Sequence, residues 1–190
     1  MEPPDEVLRD APEWVNESLK RAPWVVVRRA AMRDGMIPVG IRGEPGRREQ
    51  RYAAWLSPAA VQECVTPQML AKALPEIGKV MQEFGLEGCW GPGGSVGFEL
   101  ASGLQATTAS SDLDLVVESQ LSRAVAAALL ASLPGKVDVM LEMAEGGVVL
   151  ADYANNSTYV ARTTEGPRLH GCISVPGAGP ADSRVSEPTV

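Results

Sequence analysis

The sequence is poor in histidine and cysteine, and this scarcity excludes several kinds of active site. Its 190 residues contain one histidine, His170, and three cysteines. The cysteine number is odd and no Cys-x-x-Cys spacing occurs, so neither a disulfide framework nor a zinc site is expected, and a reducing cytoplasm is favoured. With a single histidine available, we expect carboxylates to carry the chemistry.

The sequence also lacks a long apolar run and an overall positive charge. The apolar stretch at 124–133 is too short and too rich in alanine to span a bilayer. The start of the chain, residues 1–6, is acidic and proline-rich, unlike a signal peptide. The formal net charge is −7, whereas nucleic-acid binders usually carry a basic excess. We therefore expect neither a membrane nor a nucleic acid as partner.

Positive charge is nevertheless concentrated in one window of the sequence. Between Arg28 and Arg51 there are seven arginines and three acidic residues, a net charge of +4 that leaves −11 for the rest of the chain. A local arginine cluster in an acidic protein fits one polyphosphate ligand or one acidic partner. A solvated basic face is an equally good interpretation of composition alone, and the sequence assigns no role to single arginines.

A pair of aspartates, Asp112 and Asp114, lies in the most informative segment of the chain. Side chains at positions i and i+2 of a strand point to the same face, so both carboxylates are expected together while Leu113 and Leu115 face a core. Two carboxylates aimed at one point repel each other unless a cation lies between them. Mg²⁺ held partly by substrate phosphates suits such a pair, and the sequence predicts both aspartates as its ligands.

A glycine-serine turn and a third aspartate complete the predicted site. Gly94 and Ser95 open a predicted helix, and backbone N–H groups at a helix start bind anions. Asp138 lies in the next predicted strand, so adjacent strands would bring three carboxylates to one sheet face. Apolar neighbours indicate a buried strand around Asp112 and Asp114, where unpaired carboxylates are costly. Metal and phosphate sites together predict phosphoryl or nucleotidyl transfer.

The order of the predicted elements indicates an α+β fold. A small amino-terminal α/β unit, residues 1–65, is expected to pack on a catalytic domain with a mixed sheet, residues 66–173. The tail at 174–190 is rich in Pro, Gly, Ser and acidic residues and is expected to be disordered. We predict helices at 12–21, 66–84 (two short helices or one that is kinked at Pro75), 95–101 and 120–132. Predicted strands are 24–29, 36–42, 51–56 (or a helix start), 89–90, 113–117, 136–142, 148–150 and 158–161.

These motifs resemble the polymerase-beta-like nucleotidyltransferase superfamily, in which a Gly-Ser turn, a helix, an Asp-x-Asp strand and a third aspartate recur. The sixteen residues between Ser95 and Asp112 exceed the interval that is usual in that superfamily. Over about residues 20 to 170 the chain resembles one family within it, the malonate decarboxylase holo-[acyl-carrier-protein] synthases, also called phosphoribosyl-dephospho-CoA transferases. The segments that carry this resemblance are 24–29, 37–43, 50–51, 66–67, 94–100, 111–115 and 166–169.

The resemblance implies an Mg²⁺-dependent transferase and a specific reaction. Such enzymes attach a phosphoribosyl-dephospho-CoA group to a serine of the apo acyl-carrier subunit of malonate decarboxylase. The donor is 2′-(5″-triphosphoribosyl)-3′-dephospho-CoA, and pyrophosphate leaves. On this interpretation Asp112 and Asp114 hold Mg²⁺, and Gly94 and Ser95 bind the departing phosphates. Asp138 completes the metal site or takes the proton of the carrier serine.

Two other functions remain open at this point. The chain could be a nucleotidyltransferase that adds AMP or another nucleotide to a protein, an RNA or a small molecule. It could also be a non-catalytic protein that docks the acyl-carrier subunit, with structural acids only. Labelling by ATP without a carrier would indicate the first function, and carrier binding that survives Asp112→Ala would indicate the second.

Overall fold

The computed structural model describes residues 10–47 and 49–171. The predicted disordered tail at 174–190 and the third cysteine, Cys172, lie outside the described residues. Within them the protein is α+β, as predicted, and its strands form one sheet of three and one mixed sheet of six. No described helix is long and apolar enough to cross a membrane.

The small sheet and one helix form the amino-terminal part of the structure. Its antiparallel strands, in spatial order, are β1 Val26–Val27, β2 Ile37–Arg42 and β3 Arg51–Leu56. β1 is shorter than the predicted strand, and the choice left open at 51–56 is settled as a strand. Asp34 and Gly35 have φ of 49° and 74°, which is typical of the predicted two-residue hairpin turn. Helix α1, Glu13–Arg21, packs Val15 against one face of this sheet.

The large sheet has the strand order β4-β5-β6-β7-β8-β9, in which only β5 and β6 are parallel to each other. These strands are Trp90–Pro92, Leu113–Val117, Val137–Met143, Gly146–Val149, Thr158–Thr163 and Gly166–Gly171. The helices of this part are α2 Pro67–Leu70, α3 Pro75–Glu83, α4 Gly94–Ser102, α5 Arg123–Ser132 and α6 Leu150–Asn155. Residues of α3, α5 and α6 form the main core with one face of the sheet, which leaves the other face for Asp114 and Asp138.

Four details of the large sheet and its helices differ from the predictions. Strand β9 and helix α6 were not predicted. Leu150, expected at the end of a strand, instead begins α6. α5 begins at Arg123 rather than at 120, because the Ser122 hydroxyl accepts a hydrogen bond from the Val125 amide at 3.3 Å and caps the helix. The choice left open at Pro75 is settled as two separate helices, α2 and α3.

The small sheet lies against the open face of the large one. Arg29 forms an ion pair with Glu142 of β6. The Arg42 guanidinium donates a hydrogen bond to the Gly94 carbonyl at 2.5 Å. Contacts of this kind place the end of the small sheet over the strands that carry the predicted carboxylates. The domain limits at 65 and 173 stay predictions.

Candidate active site

A cleft of about 300 Å³ lies between the small sheet and the large one. Side chains of opposite charge line its two walls. The wall from the amino-terminal part contributes four arginines, and the wall from the large sheet contributes Ser95 and three aspartates. These charged residues are Arg21, Arg42, Arg47 and Arg51 on one side and Asp112, Asp114 and Asp138 on the other. One acidic residue, Glu44, also lines the first wall, where it forms an ion pair with Arg47.

The three aspartates reach the cleft from two neighbouring parallel strands. Asp114 and Asp138 are direct partners in the register of β5 and β6. Asp112 lies one residue before β5 and lines the same cleft. Leu115 on the opposite face is 1% exposed, whereas Asp114 is exposed to the cleft. The expectation of a buried strand around both aspartates is therefore wrong for one face, because that face opens into the cleft.

The electrostatic surroundings of Asp114 oppose its ionisation. Partial burial is the largest cause that raises the pKa of this carboxyl above its ordinary value, and the nearby carboxylates of Asp138 and Asp112 add to the effect. The positive charges of Arg42 and Arg51 act in the opposite direction. A cation bound between these carboxylates would relieve their repulsion, since a nearby positive charge favours the ionised form.

The glycine-serine turn lies directly against Asp114. Helix α4 begins at Gly94 without a side-chain cap, and the Gly93 amide donates a hydrogen bond to the Asp114 carbonyl at 2.8 Å. Gly94 has φ +55°, and a Cβ at this position would lie 1.7 Å from Asp114 Oδ2. Only glycine can therefore bring the helix start, a site suited to anions, so close to the carboxylate.

The donor set suits Mg²⁺ when substrate oxygens are added. No group of three or more His, Cys, Asp or Glu side chains in the described part of the chain is arranged to hold a metal by itself. Mg²⁺ is ordinarily held by one or two carboxylates together with waters and substrate phosphates. The residues present fit that pattern, because two aspartates stand beside a turn that can bind phosphate.

The opposite wall carries two arginines that the sequence did not single out. Arg42 and Arg51 are direct partners in the antiparallel register of β2 and β3. The Arg42 guanidinium also lies over the Phe98 ring, 5.5 Å from its centre. Burial first, and then the charge of Arg51, lower the pKa of Arg42, whereas Asp114 raises it. Arg42 thereby links the small sheet to the first turns of α4.

The long segment between α4 and β5 is tied down by one carboxylate. The Glu99 side chain accepts hydrogen bonds from the Ala106 amide at 2.9 Å, the Thr107 amide at 2.9 Å and the Thr107 hydroxyl at 2.7 Å. These bonds lower the pKa of Glu99. The Thr108 amide donates to the Ser111 hydroxyl at 2.9 Å. These hydrogen bonds fix the path of residues 103–111 along the cleft, up to Asp112.

Two overlapping stretches of the chain match the two domains of a single protein family. Residues 56–171 match the phosphoribosyl-dephospho-CoA transferase MdcG C-terminal domain. Residues 2–67 match the phosphoribosyl-dephospho-CoA transferase MdcG N-terminal domain. The chain belongs to the phosphoribosyl-dephospho-CoA transferase (MdcG) family.

Several curated relatives match most of this chain at 37–40% identity. A phosphoribosyl-dephospho-CoA transferase of Pseudomonas syringae pv. tomato is 40% identical, with 84% of this chain and 83% of the relative covered. One of Azotobacter vinelandii is 39% identical, with 85% and 84% covered. One of Pseudomonas putida is 38% identical, with 84% of each covered. No solved structure matches the chain.

The family and the transferred group predicted from the sequence are thus confirmed for this MdcG family member. The structure brings Ser95, Asp112, Asp114 and Asp138 to one cleft, with Gly94 against Asp114. Their roles stay predictions. Sequence reasoning missed Glu99, and it did not separate Arg42 and Arg51 from the other arginines. The turn-rich loop at 43–50 was a usable signal, because a hairpin there brings the ends of two strands together.

Gly93–Gly97 of this MdcG family member has the spacing Gly-x-Ser-x-Gly, which is typical of a nucleophilic serine. Ser95 follows a strand and lies in the first turn of a helix, which is the context that this motif requires. A serine nucleophile needs an adjacent base, usually histidine. The only histidine in the sequence, His170, stacks on Tyr159 in strand β9 and does not line the cleft. Chemistry based on carboxylates stays a prediction.

Proposed function

We propose that this protein transfers the phosphoribosyl-dephospho-CoA group to a serine of the apo acyl-carrier subunit of malonate decarboxylase. The donor is 2′-(5″-triphosphoribosyl)-3′-dephospho-CoA, and pyrophosphate is released. Family membership supports the transferred group. The observation that carries the chemistry is the cleft in which Asp112, Asp114 and Asp138 face a wall lined by arginines.

Asp112 and Asp114 are the proposed Mg²⁺ ligands. Mg²⁺ bound there would neutralise negative charge on the donor phosphates as the leaving group departs. Asp114 is held in place by its position in β5 and by the turn that packs against it. Gly94 and Ser95 are the proposed binding site for the departing phosphates, because the uncapped start of α4 presents backbone N–H groups.

Asp138 is the proposed acceptor of the serine proton. Two carboxylates and the donor oxygens suffice for Mg²⁺, so the third carboxylate is available for this role. The serine oxygen forms a bond to the α-phosphorus of the donor, and the bond from that phosphorus to the bridging oxygen of pyrophosphate breaks. The leaving group takes the electron pair, and Asp138 takes the proton.

A polymerase-beta-like nucleotidyltransferase fold is the proposed frame for this chemistry. Its support is the mixed sheet, in which a Gly-Ser turn opens a helix and aspartates lie on two adjacent strands. The cytoplasmic location expected from the cysteines stays a prediction.

Intact-mass spectrometry of the acyl-carrier subunit tests the proposed reaction. The apo subunit is incubated with the donor, Mg²⁺ and this protein, beside an Asp112→Ala variant whose fold is verified by circular dichroism. We expect a mass gain equal to the phosphoribosyl-dephospho-CoA group with the wild type and none with the variant. An unchanged carrier, with intact donor and folded enzyme, would contradict the proposal. A parallel reaction with ATP tests the rival adenylyl transfer, which predicts a gain of AMP instead.

A further inference from the structure

Two arginines of the small sheet repel each other in the structure as it stands. Arg42 and Arg51 are directly opposite across β2 and β3, and like charges at such positions destabilise a sheet. No described carboxylate forms a salt bridge with either guanidinium, although four other basic side chains in the described residues do form one. Those four are Arg29, Arg47, Lys79 and Arg168.

The opposite wall of the cleft also brings like charges together, but these charges are negative. Asp114 and Asp138 are direct partners across β5 and β6, and Asp112 lines the same cleft, so three negative charges lie close together. The two arginines and the three aspartates face one cleft, yet no described ion pair joins them. A ligand that carries both a cation and a polyanion satisfies both walls at once. Magnesium pyrophosphate has this composition, and guanidinium groups bind phosphate oxygens with two parallel hydrogen bonds.

Arg42 also fixes where such an anion would lie. Its guanidinium donates to the Gly94 carbonyl at 2.5 Å and lies over Phe98, so it is held beside the start of α4. Arg51 is exposed at the neighbouring position of β3. An anion between these two arginines and the helix start would contact the small sheet on one side and the large-sheet part on the other.

We propose that Arg42 and Arg51 bind the pyrophosphate end of the donor, so that the small amino-terminal sheet supplies half of the donor site. This inference deepens the proposed function and rests on it for the identity of the anion. It gives the amino-terminal part a direct role in binding the substrate, distinct from docking of the carrier.

Calorimetric titration of the full chain with magnesium pyrophosphate tests the inference without donor or carrier. The variants are Arg51→Ala and Arg51→Lys, and the control is Arg168→Ala, which removes a charge of the same sign from a surface ion pair in β9, outside the cleft. We expect the dissociation constant to rise about tenfold or more for Arg51→Ala, less for Arg51→Lys, and to stay unchanged for the control. Equal affinity in Arg51→Ala and the wild type would overturn the inference, as would undetectable binding to the wild type.

Thermal unfolding distinguishes a binding role from a structural one. Because the repulsion from Arg42 and the attraction to Asp114 act in opposite directions, Arg51→Ala should melt within about 2 °C of the wild type in the absence of ligand, while its gain in melting temperature with pyrophosphate is lost. A lower melting temperature with a full pyrophosphate gain would indicate a structural residue and overturn the inference. If transfer to the carrier fails while binding of pyrophosphate depends on Arg51, the anion site stands and the proposed acceptor is wrong.

Discussion

Asp114 connects the shape of the cleft to its chemistry at the scale of single residues. Its backbone pairs β5 with β6 and accepts a hydrogen bond from the Gly93 amide. Its side chain lies against the start of α4, near the carboxylates of Asp138 and Asp112. Burial and repulsion raise the pKa of this carboxyl. These features favour a bound cation at Asp114. When no cation is bound, they lower the stability of the folded protein.

Asp114→Asn should therefore stabilise the metal-free protein and abolish its activity. A carboxyl whose folded pKa is raised favours folding only while protonated, and this advantage is lost as the pH rises through the folded pKa. At pH 7 the ionised side chain opposes folding, so its neutral replacement should raise the melting temperature by about 1–3 °C. Calorimetric melting in EDTA measures this effect, with Asp152→Asn as a control outside the cleft. A lower melting temperature for Asp114→Asn would contradict the assigned environment.

Asp138→Asn should separate proton transfer from metal binding. Loss of the proposed proton acceptor should lower kcat by about 10²- to 10⁴-fold. The Mg²⁺ concentration for half-maximal activity should change little. Because Asp138 is one cause of the raised pKa of Asp114, the pH below which Mg²⁺ binding is lost should also move downward. The assays are transfer rates against Mg²⁺ and Mg²⁺ titrations between pH 4 and 7. A large increase in the Mg²⁺ requirement with kcat unchanged would make Asp138 a metal ligand instead.

At the scale of elements, the sequence predicts the helices and strands that have a strong local pattern. It does not predict those that form only by packing on other parts of the fold. β5 is largely apolar, apolar and polar residues alternate in β6, and a proline divides α2 from α3. These local patterns are sufficient to predict the four elements. β9 contains Gly166, Pro167 and Gly171, which are unfavourable in strands and tolerated at a sheet edge. α6 has six residues, too few for a helical period to stand out. The local sequence therefore does not indicate β9 or α6, and both depend on packing against neighbouring elements.

Gly94→Ala tests whether the turn at the start of α4 must be glycine. The added Cβ would collide with the Asp114 carboxylate and would also require a left-handed backbone, at a cost of about 1–3 kcal/mol. Gly135→Ala is the matched control, since Gly135 has φ +61° but nothing within 4 Å of an added Cβ. Both variants should lose stability in urea, and only Gly94→Ala should also lose transfer activity. Full activity in Gly94→Ala would show that the close approach to Asp114 is dispensable.

Glu99→Gln tests the segment that leads from α4 to Asp112. The neutral side chain cannot match a carboxylate that accepts three hydrogen bonds, so the segment should lose order and Asp112 should be misplaced. We expect kcat to fall by about tenfold to a hundredfold.

Because the folded pKa of Glu99 is lowered, its contribution to stability should be present above its ordinary pKa and lost as the pH falls toward the folded value. Amide exchange of Ala106 and Thr107 measures the order, with exposed Glu87→Gln as control. Unchanged exchange would contradict the assigned role.

At the scale of the whole molecule, the candidate site is composite. The carboxylate half was predictable, because a strand register places Asp114 beside Asp138 once both strands are recognised. The arginine half was not, because it depends on how one sheet lies over the other. That arrangement depends on contacts between distant residues, such as Arg29 with Glu142 and Arg42 with Gly94. The sequence contains the residues of both halves but no local pattern that brings the halves together.

The dependence of the transfer rate on Mg²⁺ tests the central claim most directly. Phosphoribosyl-dephospho-CoA transfer to the apo carrier is followed by intact mass for the wild type, Asp112→Asn and the control Asp152→Asn, with Mg²⁺ or with EDTA. If Asp112 and Asp114 hold the metal, the wild type and the control should be active only with Mg²⁺, and Asp112→Asn should be slower by about 10³-fold or more. Transfer at the full rate in EDTA, or by Asp112→Asn, would contradict the account.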